Sequence, residues 1–194
     1  TGFALSGALY VCWGNGLFVA GRYAAGTNNI YTSPDGITWT QRTVAVSGHS
    51  TGAVWNGSVF VVATWNATNR VVTSPDGITW TARSVPVNTA DVAPALHWAD
   101  DLFVLAVSAS SDKVATSPDG TTWTLRTVPA LASGGGHAKA TLKIGSTYSM
   151  LPESATFRFL TTSDFSSFTQ QSYGATNFPI GALPASIATD GTTW

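Results

Sequence analysis

Three carboxylates stand outside every repeated position of this 194-residue chain and could in principle act as an acid–base pair: Asp91, Asp112 and Glu153. Hydrolysis of a glycosidic bond needs two carboxyl groups at a defined separation. No sequence spacing ties these three together, and solvated loop charges explain each of them more simply. Glycan hydrolysis therefore stays an alternative function, and we do not expect it to be the main one.

Several arginines and histidines occupy the same position in different repeats, which is typical of scaffold residues. Arg42, Arg83 and Arg126 each follow a tryptophan by three residues, so we expect them to point outward from separate units and not to converge on an acidic ligand. His49 and His137 also share one repeat position. A metal site needs three or four convergent ligands. We therefore expect no metal, no cofactor and no catalytic residue.

Composition excludes several classes of protein. Charged residues make up 10% of the chain and the net charge is −1, which provides no basic footprint for nucleic acid. No apolar run reaches the length of a membrane helix, so we expect no membrane insertion. Cys12 is the single cysteine, and we expect it to pack as a small hydrophobe. The chain starts at Thr1 without a signal peptide, which suggests a mature product or a fragment.

A turn sequence occurs three times, at 33–39, 74–80 and 117–123, and in a worn fourth copy at 163–168. The aromatic residues that close these copies are 41, 43 and 45 residues apart. A period near 40 that carries strand-like segments predicts a repeat architecture, most simply a β-propeller. Residues that recur in every copy then belong to the scaffold, and a particular function must use positions that break the repeat.

A second register supports the same repeat. Trp13 to Phe18 aligns with three later segments and with 189–194, and Asn-Gly pairs in it predict two-residue hairpins. Each unit reads as four short strands, A to D. Strand B is expected at 18–23, 60–65 and 103–108, and strand D at 37–44, 78–85 and 121–128. The fold class is therefore all-β, with four-stranded antiparallel blades.

The whole chain, 1–194, is predicted to be a single propeller domain of about four and a half blades. The blades are expected at about 5–44, 45–85, 86–128 and 129–172, with a partial blade at 173–194. The partial blade has no obvious completion within the chain. We therefore expect that a longer ring, a homo-oligomer or a strand-supplying partner completes it, because an open edge invites aggregation.

The turn resembles the Asp-box, the bacterial neuraminidase repeat, in a shortened form with glycine directly after aspartate. The residues that carry the resemblance are Ser33, Asp35, Gly36, Trp39, Ser74, Asp76, Gly77, Trp80, Ser117, Asp119, Gly120 and Trp123. It implies a propeller similar in style to phage tail and receptor-binding proteins, in which these positions are structural. Sialidase-like enzymes, sortilin-type receptors and assembly factors carry the same repeat, but the sialidase Arg-Ile-Pro signature is absent.

In a blade of this kind the irregular connections share one face, where binding usually evolves on loops. Five residues break the repeat there and form the candidate ligand face: Tyr23, Trp65, Arg70, Asp91 and Glu153. Exposed aromatics would suit sugar stacking, although packing against a neighbouring connection explains them equally well. We expect a non-enzymatic adhesion or structural domain of a virion or extracellular protein that binds a host-surface glycan or a partner protein. A sialidase-like hydrolase and a protein-binding assembly factor are the alternatives.

Overall fold

The computed structural model describes residues 9–22, 29–44, 46–65, 71–87, 92–99, 101–108, 113–129, 138–152 and 158–172. These residues form sixteen strands in four antiparallel sheets of four strands each, and none of them is helical. Within every sheet the strands lie side by side in chain order. The sheets are blades of a β-propeller, which confirms the predicted fold class. The partial blade predicted at 173–194 lies outside the described residues.

The strand bounds follow the repeat. Blade 1 contains β1 Leu9–Gly14, β2 Leu17–Arg22, β3 Ile30–Ser33 and β4 Thr40–Arg42. Blade 2 contains β5 His49–Trp55, β6 Phe60–Trp65, β7 Val71–Ser74 and β8 Thr81–Arg83. Blade 3 contains β9 Val92–Trp98, β10 Phe103–Ser108, β11 Lys113–Ser117 and β12 Thr124–Thr127. Blade 4 contains β13 Ala138–Ile144, β14 Thr147–Pro152, β15 Arg158–Thr162 and β16 Thr169–Ser172.

The first hairpin of each blade forms for local reasons. Asn15 and Gly16 both have positive φ, 47° and 72°, which is the backbone of the tight two-residue turn that Asn-Gly favours. Trp13 and Phe18 pair one position behind this turn, and their ring centroids are 4.4 Å apart. The same aromatic pairing closes the hairpins of blades 2 and 3, with centroid distances of 4.3 and 4.6 Å.

The outer strand is shorter than predicted. Strand D was expected to begin at Ile37 in blade 1, but β4 begins at Thr40, and β8 and β12 are shortened in the same way. The amide N–H groups of Ile37 and Thr38 donate to the Asp35 carboxylate, so they are not available to a sheet ladder. The prediction of strand B was correct for β6 and β10 and differs by one residue for β2.

The core lies between blades, where large side chains meet small ones. At the first junction Trp80 and Phe60 of blade 2 pack against Val19, Ile30 and Val44 of blade 1. The second junction repeats this with Phe103 and Trp123 of blade 3 against valines of blade 2, and the third with Tyr148 and Met150 of blade 4 against blade 3. Because consecutive blades bury complementary faces, the packing fixes each blade relative to the next.

Candidate functional site

The blades present two opposite ends to solvent. The end that carries the hairpin at 15–16 and the turn at 33–39 is called the turn face. The end where β2 finishes at Arg22 and β5 begins at His49 is called the loop face. The alternation of strands places equivalent parts of all four blades on the same face.

On the turn face, each repeated turn is organised around an aspartate. The Asp35 Oδ1 atom accepts hydrogen bonds from the backbone N–H groups of Ile37 and Thr38 at 2.8 and 2.7 Å. The Ser33 hydroxyl donates to the same oxygen at 2.8 Å and accepts from the N–H of Gly36 at 2.8 Å. The bonds from Thr38 and Ile37 lower the pKa of Asp35 to about 2, so the carboxylate stays ionised. The ionised carboxylate therefore stabilises the turn and cannot serve as a general acid.

The same bonds recur around Asp76 and Asp119, with distances between 2.7 and 3.0 Å. The tryptophan that ends each turn donates its indole N–H to the carbonyl of the turn glycine, at 3.1 Å for Trp39 and 3.2 Å for Trp80. Trp80 and Trp123 are buried between blades, whereas Trp39 is only half-buried. The turns of blades 2 and 3 therefore connect the surface to the core.

The worn fourth turn keeps this geometry with other residues. Thr162 takes the place of the serine, and its hydroxyl accepts from the N–H of Phe165 at 2.9 Å. Phe165 stands where the other turns have glycine and keeps a positive φ of 58°. Asp164 Oδ1 accepts from the N–H of Ser166 at 2.8 Å, and bonds from Ser166 lower the pKa of Asp164 to about 2. The aspartate is thus kept even where the glycine is lost.

A polar cluster that the sequence analysis missed joins blades 3 and 4 on the turn face. The Tyr148 hydroxyl donates to Asp101 Oδ1 at 2.5 Å, and the Lys143 ammonium donates to Asp101 Oδ2. The Lys143 Nζ atom also lies 5.1 Å from the centre of the Tyr148 ring. Burial opposes ionisation of Asp101, but the bonds from Lys143 and Tyr148 outweigh it and lower its pKa. The repeat contained a signal for this cluster, because Lys143 and Tyr148 stand where the first three blades have a tryptophan and a phenylalanine.

On the loop face, Trp65 is the described member of the predicted ligand face. It ends β6 directly across from His49 on β5, and the centroids of the two rings are 5.4 Å apart. Both side chains are half-buried. This pair places an aromatic surface at the edge of the loop face.

The scaffold beneath this pair joins two blades. Buried Asn29, which precedes β3 in blade 1, donates its side-chain N–H to the carbonyl of Gly48 at 2.9 Å. Gly21 packs so closely on blade 2 that an added Cβ would come within 2.5 Å of the Ser50 Cβ. The pairing of β5 with β6 shifts register between Ser50 and Gly52, which is a bulge of the kind often found beside binding sites. Trp65 and His49 are therefore held on a rigid junction.

The remaining predicted ligand-face residues, Tyr23, Arg70, Asp91 and Glu153, lie outside the described residues, as do Asp112 and His137. Nowhere in the described ranges do three or more His, Cys, Asp or Glu side chains gather as a metal site would require. Cys12 packs at the first junction, where burial raises the pKa of its thiol to about 12. The part of the chain that the structure describes contains no helix that could cross a membrane.

The repeated arginines stay within their own blades. The Arg42 Nε atom donates to the Thr32 hydroxyl at 2.7 Å, and the Arg83 Nε atom donates to the Thr73 hydroxyl at 3.1 Å. Arg126 makes the corresponding, longer contact with Thr116 at 3.5 Å. All three side chains are half-buried and bind across to the neighbouring strand of their own blade, so each stays in a separate blade.

Comparisons with known proteins agree with the fold. No family model matches the chain, and no curated protein sequence matches it. The GH74 xyloglucanase from Xanthomonas campestris superimposes with a TM-score of 0.57 and 15% identity, over 80% of this chain and 28% of that chain. Chaetomium thermophilum Raptor superimposes with a TM-score of 0.63 and 10% identity, over 94% of this chain and 18% of that chain. The chain thus spans less than a third of either protein, and at these identities the likeness shows the fold alone.

Proposed function

We propose that this β-propeller is a non-enzymatic binding domain that takes a surface glycan on its loop face. The observation that carries the proposal is the pair of half-buried rings, Trp65 and His49, at the junction of blades 1 and 2. An indole has an apolar face and a polar edge, which suits it to the apolar patches and hydroxyls of a sugar ring.

The placement of Trp65 supports binding by a prearranged surface. The paired strand β5, on which His49 lies opposite Trp65, is held against blade 1 by the Asn29–Gly48 hydrogen bond and by the close packing of Gly21 on Ser50. A side chain that is already held in place loses little rotamer freedom when a ligand arrives, so more of the contact energy appears as affinity. The position also breaks the repeat, since the equivalent residues in the other blades are Tyr23, Ser108 and Glu153.

The distribution of carboxylates favours binding over hydrolysis. Within the described ranges every aspartate lies on the turn face: Asp35, Asp76, Asp101, Asp119 and Asp164. The four turn aspartates accept hydrogen bonds from the backbone N–H groups two and three residues further along their turns, and their pKa values are lowered. A general acid needs the opposite shift. A hydrolase would therefore have to use carboxylates that lie outside the described residues, such as Asp91, Asp112 and Glu153.

The setting that we propose is a virion or extracellular protein, in the style of phage tail and receptor-binding proteins. The bonding of Asp35 to Ser33, Ile37 and Thr38 supports assignment of the turns to the Asp-box class. A surface with few charges and many Thr, Ser and Asn side chains fits such a setting. Another virion protein in place of the glycan is the second partner that the same loop face would suit.

A glycan array probed with the purified chain tests this proposal, followed by calorimetry with the best oligosaccharide. Trp65→Ala should weaken binding at least tenfold, which corresponds to about 1.4 kcal/mol. Ile78→Ala is the matched control, because Ile78 is exposed on the turn face of the same blade and should leave affinity unchanged. Reducing-sugar release is measured in parallel.

Three outcomes would overturn the proposal. Binding that is insensitive to Trp65→Ala would move the site elsewhere. Sugar release that Glu153→Gln abolishes would establish the hydrolase alternative. If the chain binds no glycan but does bind another virion protein, its ligand is a protein and not a glycan.

A further inference from the structure

Two Asn-Gly pairs occur in the chain, Asn15-Gly16 and Asn56-Gly57, and each lies in the first hairpin of a blade. Such a pair can modify itself, because glycine has no side chain that would keep its backbone nitrogen away from the asparagine side chain. A Cβ added at Gly16 or at Gly57 would meet nothing within 4 Å, so the two turns are equally open. A difference in reactivity between the pairs must therefore come from how each asparagine is held.

The side-chain carbonyl of Asn56 is bound by two backbone donors. Its Oδ1 atom accepts hydrogen bonds from the N–H groups of Ser58 at 2.9 Å and Val59 at 2.8 Å. Donors placed in this way stabilise the negative charge that develops on a carbonyl oxygen when a nucleophile attacks its carbon. The described contact of the Asn15 side chain instead uses its amide nitrogen, which donates to the carbonyl of Pro75 at 3.4 Å. The turn of blade 2 therefore activates its asparagine amide for attack.

The backbone conformations of the two asparagines also differ. Asn15 has a φ of 47°, and a left-handed residue combines such a φ with a ψ of about +47°. At that ψ the next backbone nitrogen lies across the Cα–C bond from Cβ, out of reach of the side chain. Asn56 does not share the positive φ, and its bonds to N–H groups two and three residues ahead are those of a capping residue with an extended backbone. An extended backbone brings the next nitrogen alongside Cβ.

We propose that Asn56-Gly57 is a self-modification site at which Asn56 converts to aspartate and isoaspartate. Hydroxide removes the proton of the Gly57 backbone nitrogen, and the electron pair of this nitrogen forms a bond to the Asn56 Cγ atom. The bond from Cγ to the amide nitrogen then breaks, and ammonia leaves with a proton taken from water, which returns the hydroxide. A cyclic imide remains, and water adds to one of its two carbonyls and opens the ring. Cleavage at Cγ gives aspartate, and cleavage at the main-chain carbonyl gives isoaspartate.

The two products affect blade 2 differently. The aspartate form keeps the length of the main chain, and its carboxylate accepts the same bonds from Ser58 and Val59. The isoaspartate form has an extra carbon in the main chain directly after Trp55. This indole pairs with Phe60 at a centroid distance of 4.3 Å and lies on Gly14 of blade 1. Isoaspartate therefore displaces the aromatic pair at the first junction and weakens the contact between blades 1 and 2.

Mass spectrometry of the unmodified chain during incubation in mildly alkaline buffer tests the proposal. The peptide that contains Asn56 should gain the mass of amide-to-acid conversion at least about tenfold faster than the peptide that contains Asn15. In urea the two rates should become equal, because both pairs then have the same flexible backbone. Asn15 is thus an internal control in the same sample, and the proposal does not depend on glycan binding. Equal rates in the folded chain, or faster conversion of Asn15, would overturn the proposed site.

The effect on the junction is measured on the isoaspartate form, separated by chromatography, and on Asn56→Asp, which supplies the aspartate form directly. Asn56→Asp should melt at the wild-type temperature. The isoaspartate form should melt at a lower temperature, and oxidative footprinting should label its Trp55 faster. Trp98, at the same repeat position in blade 3, is the control and should be labelled at the wild-type rate. Unchanged melting and labelling of the isoaspartate form would overturn the proposed weakening of the first junction.

Discussion

The indole of Trp55 in blade 2 lies directly on Gly14 of blade 1, so that a Cβ added at Gly14 would overlap the indole ring. Gly14 is buried and ends β1, while Trp55 ends β5 and stacks on Phe60. This contact joins the first hairpins of two neighbouring blades. The packing between these two blades therefore requires a glycine at residue 14.

Gly14→Ala should lower the free energy of unfolding by about 1–3 kcal/mol, because the indole must move from a well-packed position. Gly52→Ala is the comparison in the next junction, where an added Cβ would lie 3.1 Å from the Leu96 Cβ, a less severe approach than the 2.2 Å from the Trp55 ring at Gly14. Urea unfolding of both variants measures the difference. An equal or larger loss for Gly52→Ala would contradict the packing argument.

Acid should destabilise the fold between about pH 4 and pH 2. An unfolded aspartate titrates near 3.9, whereas hydrogen bonding lowers the pKa of folded Asp35 and Asp164 to about 2. A depressed pKa in the folded state contributes stability above the unfolded pKa, and this is lost as the pH falls through the folded pKa. Melting temperatures measured from pH 2 to pH 6 should fall across this window.

The double variant Asp35→Asn/Asp164→Asn should show a shallower fall in melting temperature than the wild type. Ile37→Ser is the control, because Ile37 is 82% exposed and donates to Asp35 through its backbone, which serine keeps. Its pH dependence should match that of the wild type. An unchanged slope in the double variant would show that these aspartates do not account for the acid sensitivity.

Trp80→Ala should cost about 3–5 kcal/mol, the usual range for removing a buried tryptophan. Trp39→Ala, the same turn position in blade 1, should cost less than half as much, since Trp39 is only half-buried. Guanidinium unfolding gives both values. Equal losses would show that Trp39 is packed as fully as Trp80.

Tyr148→Phe should destabilise the third junction by about 1 kcal/mol, because it removes a hydrogen bond to the Asp101 carboxylate. Tyr31→Phe is the control, since the Tyr31 hydroxyl pairs with the neutral amide of Gln41. In a double-mutant cycle with Asp101→Asn, the two losses should be clearly non-additive. Additive losses would show that Tyr148 and Asp101 act independently.

Local chemistry made much of the fold predictable. Asn15-Gly16 determines a hairpin, and Asp35 organises a turn through bonds that reach only two or three residues along the chain. Strand D was predicted too long, and local hydrogen bonds explain this error as well. Alternation of residue types extends the strand back to Ile37, but the local bonds to Asp35 take its amide group out of the ladder.

By itself the sequence determined the all-β class, the four-stranded unit and the positions of the turns, because interactions between residues close along the chain set all three. Only the tertiary structure decided that Trp80 is buried while Trp39 is half-buried, since this depends on whether another blade lies alongside. The same holds for Asp101 and Tyr148, which are 47 residues apart and meet because blades 3 and 4 pack face to face. Side-chain contacts between blades depend on the stacking of whole sheets, and no short stretch of sequence encodes that geometry.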